Sequence, residues 1–241
     1  AWARGWWELP VKVGDEIAPL IGAGPGEVAM VPTVTLAQAQ VISALDYSAP
    51  RDGIVMTALD FPSVRYVYDG LARRLGARID VVPASADGLG VDLDRLLAAI
   101  DERTRLVAIS HVLFRSAYVM DVEAICRRAR EVGALVSLDA YHSVGVLPVD
   151  VRALGVDFLA GGVLKWLCGG PGGCFLWVNG QGQIRISKVD FEVPRIATRI
   201  VGKGEAGFQR ITGVESPAEF ARCRGTVFKV KPPEEVSESN S

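Results

Sequence analysis

Two continuous apolar runs, Leu106-Val107-Ala108-Ile109-Ser110 and Ala134-Leu135-Val136-Ser137-Leu138-Asp139, each close on a polar residue. Between them the chain from Asp121 to Val132 reads as a helix, opened by an acid and closed by Gly133. Strand, helix and strand in that order form a right-handed crossover between parallel neighbours. The same rhythm extends outward. Gly53-Ile54-Val55-Met56-Thr57-Ala58 is a short buried strand, with Ser63 to Leu75 the helix after it. Arg78 to Val82 is a further strand, Asp92-Leu93-Asp94 opens a helix to Ile100, and Asp157-Phe158-Leu159-Ala160 begins a fifth strand. Apolar strands without alternation are covered on both faces, so an α/β fold with a parallel sheet is expected. In such sheets ligands gather at the carboxyl ends of the strands.

Composition sets the outer bounds. The chain has 241 residues, 49% of them hydrophobic and 22% charged, which suffices for an ordinary core. Lys plus Arg (26) against Asp plus Glu (28) leaves −2, giving no electrostatic reason for a nucleic-acid or anionic-membrane partner. No apolar run is long enough for a membrane span. The start, Ala1-Trp2-Ala3-Arg4-Gly5-Trp6-Trp7, has neither an initiator Met nor a signal-peptide layout and reads as the interior of a longer protein. Cys126, Cys168, Cys174 and Cys223 form no CxxC pair, so a reducing, cytoplasmic setting is expected. No repeat of fixed period occurs. Residues 1–180 carry 14 Arg, 2 Lys and 20 acids, whereas residues 181–241 carry 6 Arg, 4 Lys and 8 acids and lose the strand–helix rhythm. A domain over 1–180 and a different segment over 181–241 follow, with 232–241 a polar, disordered tail.

Several polar residues fall at the expected ligand edge. Lys165 is one of only two lysines in the first 180 residues and lies in Gly161-Gly162-Val163-Leu164-Lys165-Trp166-Leu167-Cys168-Gly169-Gly170-Pro171-Gly172-Gly173. Held in apolar surroundings, such an amine becomes a nucleophile fit for a Schiff base; otherwise it is a surface lysine with its stem on Trp166. Asp139, at the last residue of a buried strand, needs a cation or donor, such as a protonated pyridine nitrogen, unless it is a helix cap. His142, three residues on, could touch the same ring or relay protons, or be a satisfied core imidazole. Thr33, ahead of the helix-like Leu36 to Leu45, makes either a phosphate site or an N-cap. Phe61 could cover a flat ligand or pack in the core, and Arg115 could bind an anion or pair with a surface acid. No GxGxxG follows the first strand, which argues against a dinucleotide-binding domain.

Together these segments resemble the fold-type-I pyridoxal-phosphate enzymes, specifically the class V aminotransferase family in its kynureninase-like branch. The resemblance rests on Asp139-x-x-His142, then Leu154-Gly155-Val156-Asp157-Phe158, then Gly-Gly-x-x-Lys165-Trp-Leu-x-Gly-Gly-Pro-Gly, and on the segments around Thr33, Phe61 and His111. It implies a three-layer αβα large domain and pyridoxal 5'-phosphate as cofactor. By resemblance, Lys165 forms the Schiff base, Asp139 partners the pyridine nitrogen, His142 lies beside the ring, Thr33 binds the phosphate and Phe61 stacks on the ring. It implies an amino-acid substrate and a homodimer, with the Trp2, Trp6 and Trp7 cluster a candidate contact.

Three positions depart from the kynureninase pattern: Val64 where an Asp follows Phe-Pro-Ser, Leu164 where a Tyr precedes the lysine, and Ala117 where Gly is usual. A transaminase is therefore favoured over a kynureninase-type C–C hydrolase. A desulfurase usually has Gln at the position of His142. Resemblance stops near Gly180, so the family's C-terminal small domain and N-terminal arm are not recognisable, and a catalytically inactive remnant is the remaining reading.

Overall fold

The computed structural model describes residues 9–180. The expectations for the N-terminal tryptophans, for residues 181–241 and for disorder over 232–241 lie outside the described residues. Apart from residues 43–45, the described residues form one compact unit, which holds all the strands among them.

The seven strands are β1 (Val28–Val31), β2 (Gly53–Thr57), β3 (Arg78–Val82), β4 (Thr104–Ser110), β5 (Leu135–Asp139), β6 (Phe158–Gly162) and β7 (Cys174–Val178). Their order across the sheet is β1-β7-β6-β5-β4-β2-β3. Strands β2 to β6 pair in parallel, and β7 runs antiparallel between β6 and β1. The helices are α1 (Leu9–Ile17), α2 (Val34–Ser43), α3 (Pro62–Leu75), α4 (Leu93–Ala99), α5 (Val122–Val132) and a single turn, α6 (Val151–Leu154). The mostly parallel, helix-covered sheet expected from the apolar runs is present, and the strand ends agree with the sequence within a residue or two. Neither β1, β7, α1 nor α6 was expected, and β7 makes the sheet mixed.

Cover on both faces explains why β5 is apolar nearly throughout. Val136 and Leu138 enter a core with Leu96 of α4 and Ile125, Cys126 and Ala129 of α5. Ser137, on the other face, donates its hydroxyl to Gln38 of α2 at 3.0 Å, and the Tyr68 hydroxyl of α3 donates to the same amide oxygen at 2.8 Å. All three polar side chains are buried, so the face toward α2 and α3 is held by hydrogen bonds that tolerate no unpaired member.

Local signals set the helix ends. Asp121 caps α5 by accepting from the Ala124 N–H at 2.9 Å, and Asp92 caps α4 by accepting from Arg95 N–H at 3.1 Å. Gly133 ends α5 with φ 69°, and a Cβ there would lie 2.9 Å from the Arg51 guanidinium, which donates to the carbonyls of Val132 and Gly133. Ile125 is fully buried, and truncating it to Ala would cost about 2–5 kcal/mol.

Candidate functional site

Moving along the chain from β2, the next strand lies on one side and β4 on the other, so the direction of winding reverses between β2 and β4. That is the place where an open α/β sheet leaves a crevice at its carboxyl edge. Asp60 fills its floor. Its Oδ2 accepts from the Thr57 N–H at 2.7 Å and the Thr57 hydroxyl at 2.9 Å, and its Oδ1 accepts from the Ser110 N–H at 2.7 Å. The Ser110 hydroxyl is a further donor to the same carboxylate.

One strand further on, Asp139 lies opposite Ser110 in the β4–β5 register. It is as buried as Asp60 but far less served: among the described residues its Oδ1 accepts one hydrogen bond, from Tyr141 N–H at 2.9 Å. Burial pushes the Asp139 carboxyl up to about 7, the Asp60 charge adds to the rise, and the Tyr141 N–H opposes it. A buried carboxyl with open acceptor positions at a strand end fits a ligand N–H⁺.

Phe61, Phe114 and His142 form an aromatic cluster. The Phe61 and Phe114 centroids are 5.1 Å apart, edge to face, and His142 lies 6.2 Å from Phe61 and 6.5 Å from Phe114. Arg115 covers the Phe114 ring at 5.4 Å. The structure therefore brings Phe61, Asp139 and His142 to one edge. Burial lowers the proton affinity of His142, and the positive charge of Lys165 lowers it further.

Lys165 differs from its expected setting. It is exposed, in the bend after β6. The apolar loop does not enclose it because Val163 and Leu167 turn toward the core, leaving the lysine between exposed Leu164 and Trp166. Its loop is tied back by the Trp166 indole, which donates to the His142 carbonyl at 3.0 Å.

Thr33 is the N-cap of α2, its hydroxyl oxygen accepting from Leu36 N–H at 3.1 Å. The cap leaves the amides of Val34 and Thr35 without intrahelical partners, and Val34 N–H is directed at the Cys174 thiol. The Tyr141 hydroxyl reaches the same thiol. Tyr141 fits because its neighbour is Gly162, where a Cβ would lie 2.2 Å from the ring.

Asp60, Phe114, Tyr141, Trp166 and Cys174 all belong to this edge but were not singled out from the sequence. Asp60 immediately precedes Phe61, yet a carboxylate after a strand usually caps a turn, and only strand pairing shows that it reaches β4. Of the departures noted above, Val64 is buried in α3, Leu164 is exposed, and Ala117 takes φ 58°, a conformation that favours glycine. His111, at the end of β4, has a buried Nδ1 with no partner, and burial lowers its proton affinity.

The family model for aminotransferase class-V matches residues 11–192. The chain belongs to that family. Among curated relatives, it is 40% identical over 165 residues to the aminotransferase YcbU of Bacillus subtilis (strain 168), covering 68% of this chain and 43% of that protein. It is 34% identical over 182 residues to a kynureninase of Burkholderia pseudomallei (strain 1106a), covering 72% and 42%. A cysteine desulfurase from Thermococcus onnurineus NA1 superimposes with TM-score 0.64 at 27% identity, over 73% of this chain and 43% of that one. The aminotransferase class-V chain thus spans less than half the length of the curated relatives it matches, and its sheet is that of the fold-type-I pyridoxal-phosphate enzymes.

Proposed function

We propose that this chain carries the pyridoxal 5'-phosphate-binding part of a class V aminotransferase-type enzyme acting on an amino acid, with Lys165 forming the Schiff base. The observation that carries the reading is Asp139: a buried, strand-end carboxyl, short of donors, on the edge that also holds His142, Phe61 and the Lys165 loop. The group fits these residues. When bound, it supplies a ring that delocalises negative charge developing at the substrate α-carbon. Asp139 would accept from the ring nitrogen and keep it protonated, Phe61 and His142 would bound the ring, and the start of α2 at Thr33 would bind the phosphate, with Thr35 N–H the amide that neither the cap nor Cys174 takes. The exposed Lys165 amine would take up and return the α-carbon proton.

Kynureninase-type hydrolysis is the second reading, supported by the kynureninase relatives and opposed by Val64, whose place in the core leaves no carboxylate there. A reducing, cytoplasmic setting suits Cys126, Cys168 and Cys174, which are free thiols, and a homodimer is proposed from the family resemblance alone. No helix among the described residues is long and apolar enough to cross a membrane.

The test is to load the protein with pyridoxal 5'-phosphate, reduce with borohydride, digest and map the adduct by mass spectrometry. One equivalent on Lys165 is expected. Absence of an adduct, or an adduct on another lysine, overturns the assignment.

A further inference from the structure

We infer that Asp60 is a positioning residue of this site, an ionised carboxylate that ties β2 to β4 next to Phe61 and keeps a second negative charge near Asp139, so that Asp139 holds a protonated ring nitrogen more firmly. The inference rests on the functional reading above, and deepens it by assigning work to a residue outside the expected set.

The geometry separates the two buried carboxyls. A carboxylate has about four acceptor positions. At Asp60 the N–H and hydroxyl of Thr57 and the N–H and hydroxyl of Ser110 occupy them. A proton on either oxygen would have to displace one of these donors. Burial is the largest influence on the Asp60 carboxyl and leaves it raised, with the Thr57 and Ser110 donors opposing the rise; what holds the anion is the geometry, an acceptor set filled by the fold. Asp139 has one donor only. Asp60 is thus complete within the fold, and Asp139 is left open to a ligand.

Three structural links connect Asp60 to the site. It is covalently next to Phe61, whose ring meets Phe114 and His142. Its Oδ1 holds the N–H of Ser110, the residue paired with Asp139. Its charge acts on Asp139 and on Tyr68 of α3, the titratable groups that face it from β5 and α3. The charge is screened little at this depth, so it opposes ionisation of Asp139 when the site is open and favours a cation once one lies against Asp139.

The test has two arms. In the wild-type protein, carboxyl ¹³C NMR across the neutral range should show Asp60 ionised and not titrating, while Asp139 titrates. An Asp60 that is neutral at pH 7 overturns the inference. In the second arm the protein is loaded with pyridoxal 5'-phosphate labelled with ¹⁵N in the ring, and the nitrogen signal is followed against pH. Asp60→Asn should lower the ring nitrogen's proton affinity about tenfold or more, and Asp60→Glu should restore part of it. Thr57→Val, which removes one donor but not the charge, should leave it within about twofold of wild type. An unchanged ring-nitrogen titration in a folded Asp60→Asn variant overturns the inference while the functional reading stands. A wild-type protein that takes up no cofactor overturns both.

Discussion

The Trp166 indole N–H and the His142 carbonyl meet at 3.0 Å, and this bond joins the loop that carries Lys165 to the turn that follows Asp139. The two segments leave different strands, β6 and β5, and the indole is more than half exposed at 53%. Gly145 lets the contact form: with φ 96°, it approaches so closely that a Cβ would lie 2.9 Å from the Trp166 Cβ. A net hydrogen bond contributes about 0.5–1.5 kcal/mol. Trp166→Phe keeps the ring and removes the donor. It should lower affinity for pyridoxal 5'-phosphate by roughly three- to tenfold, while leaving the melting temperature within a few degrees. Equilibrium dialysis and thermal melts of the two proteins check this; unchanged affinity would mean the loop is held by Val163 and Leu167 alone.

Asp139 makes the cofactor-free protein pH-sensitive. Its folded carboxyl is raised from 3.8 to about 7, so between those values the folded state binds a proton that the unfolded state has released. Stability is therefore fullest at acid pH and declines as pH rises through that window. The loss from this residue is up to about 4 kcal/mol. Asp139→Asn should flatten the profile and melt above wild type at pH 8, while losing cofactor affinity. Urea titrations at a series of pH values decide it: a profile with the same slope in both proteins would show that Asp139 does not carry the dependence.

Ala117 sits in the left-handed region at φ 58°, exposed, in the turn where Ala117 N–H donates to the Leu113 carbonyl at 2.9 Å. A Cβ there costs about 1–2 kcal/mol, and glycine recovers that less its own greater chain entropy. Ala117→Gly should stabilise the protein by about 0.5–1 kcal/mol, read as a raised urea midpoint. Because Phe114 and Arg115 lie in the same turn, the variant also tests whether the turn's strain matters to the site: cofactor affinity should be unchanged.

The sequence made the parallel core legible because β2, β4, β5 and β6 are buried on both faces and read as unbroken apolar runs. Strand β7, Cys174-Phe175-Leu176-Trp177-Val178, is equally apolar. It follows a glycine-rich loop, and no helix precedes it to signal another parallel strand. Its reversal between β6 and β1 depends on pairing alone. At the carboxyl edge, the apolar run placed Asp139 at the end of its strand and His142 in the turn after it. Asp60 was not legible, since its meaning depends on Ser110, fifty residues away in the chain. Gln38 and Ser137 show the same limit over a longer separation: each polar residue looks like a flaw in its own apolar segment until the partner is known. Lys165 was expected in apolar surroundings and lies exposed, because loop composition does not say which side chains turn inward.

That exposure shapes the last prediction. Lys165 lies outside the core, between exposed Leu164 and Trp166, so Lys165→Ala removes an amine without opening a cavity, and surface changes of this kind leave stability nearly unaltered. The variant should melt with wild type. It should still bind pyridoxal 5'-phosphate reversibly, since Asp139, Phe61 and the start of α2 are intact, but borohydride should fix no adduct and the visible band of a lysine imine should be missing. His142 gives an independent readout. The Lys165 charge opposes its protonation, so in the variant the imidazole should titrate at higher pH, visible by NMR in the cofactor-free protein. A His142 titration unmoved by the substitution would place Lys165 away from the imidazole, and with it away from the edge on which Asp139 lies.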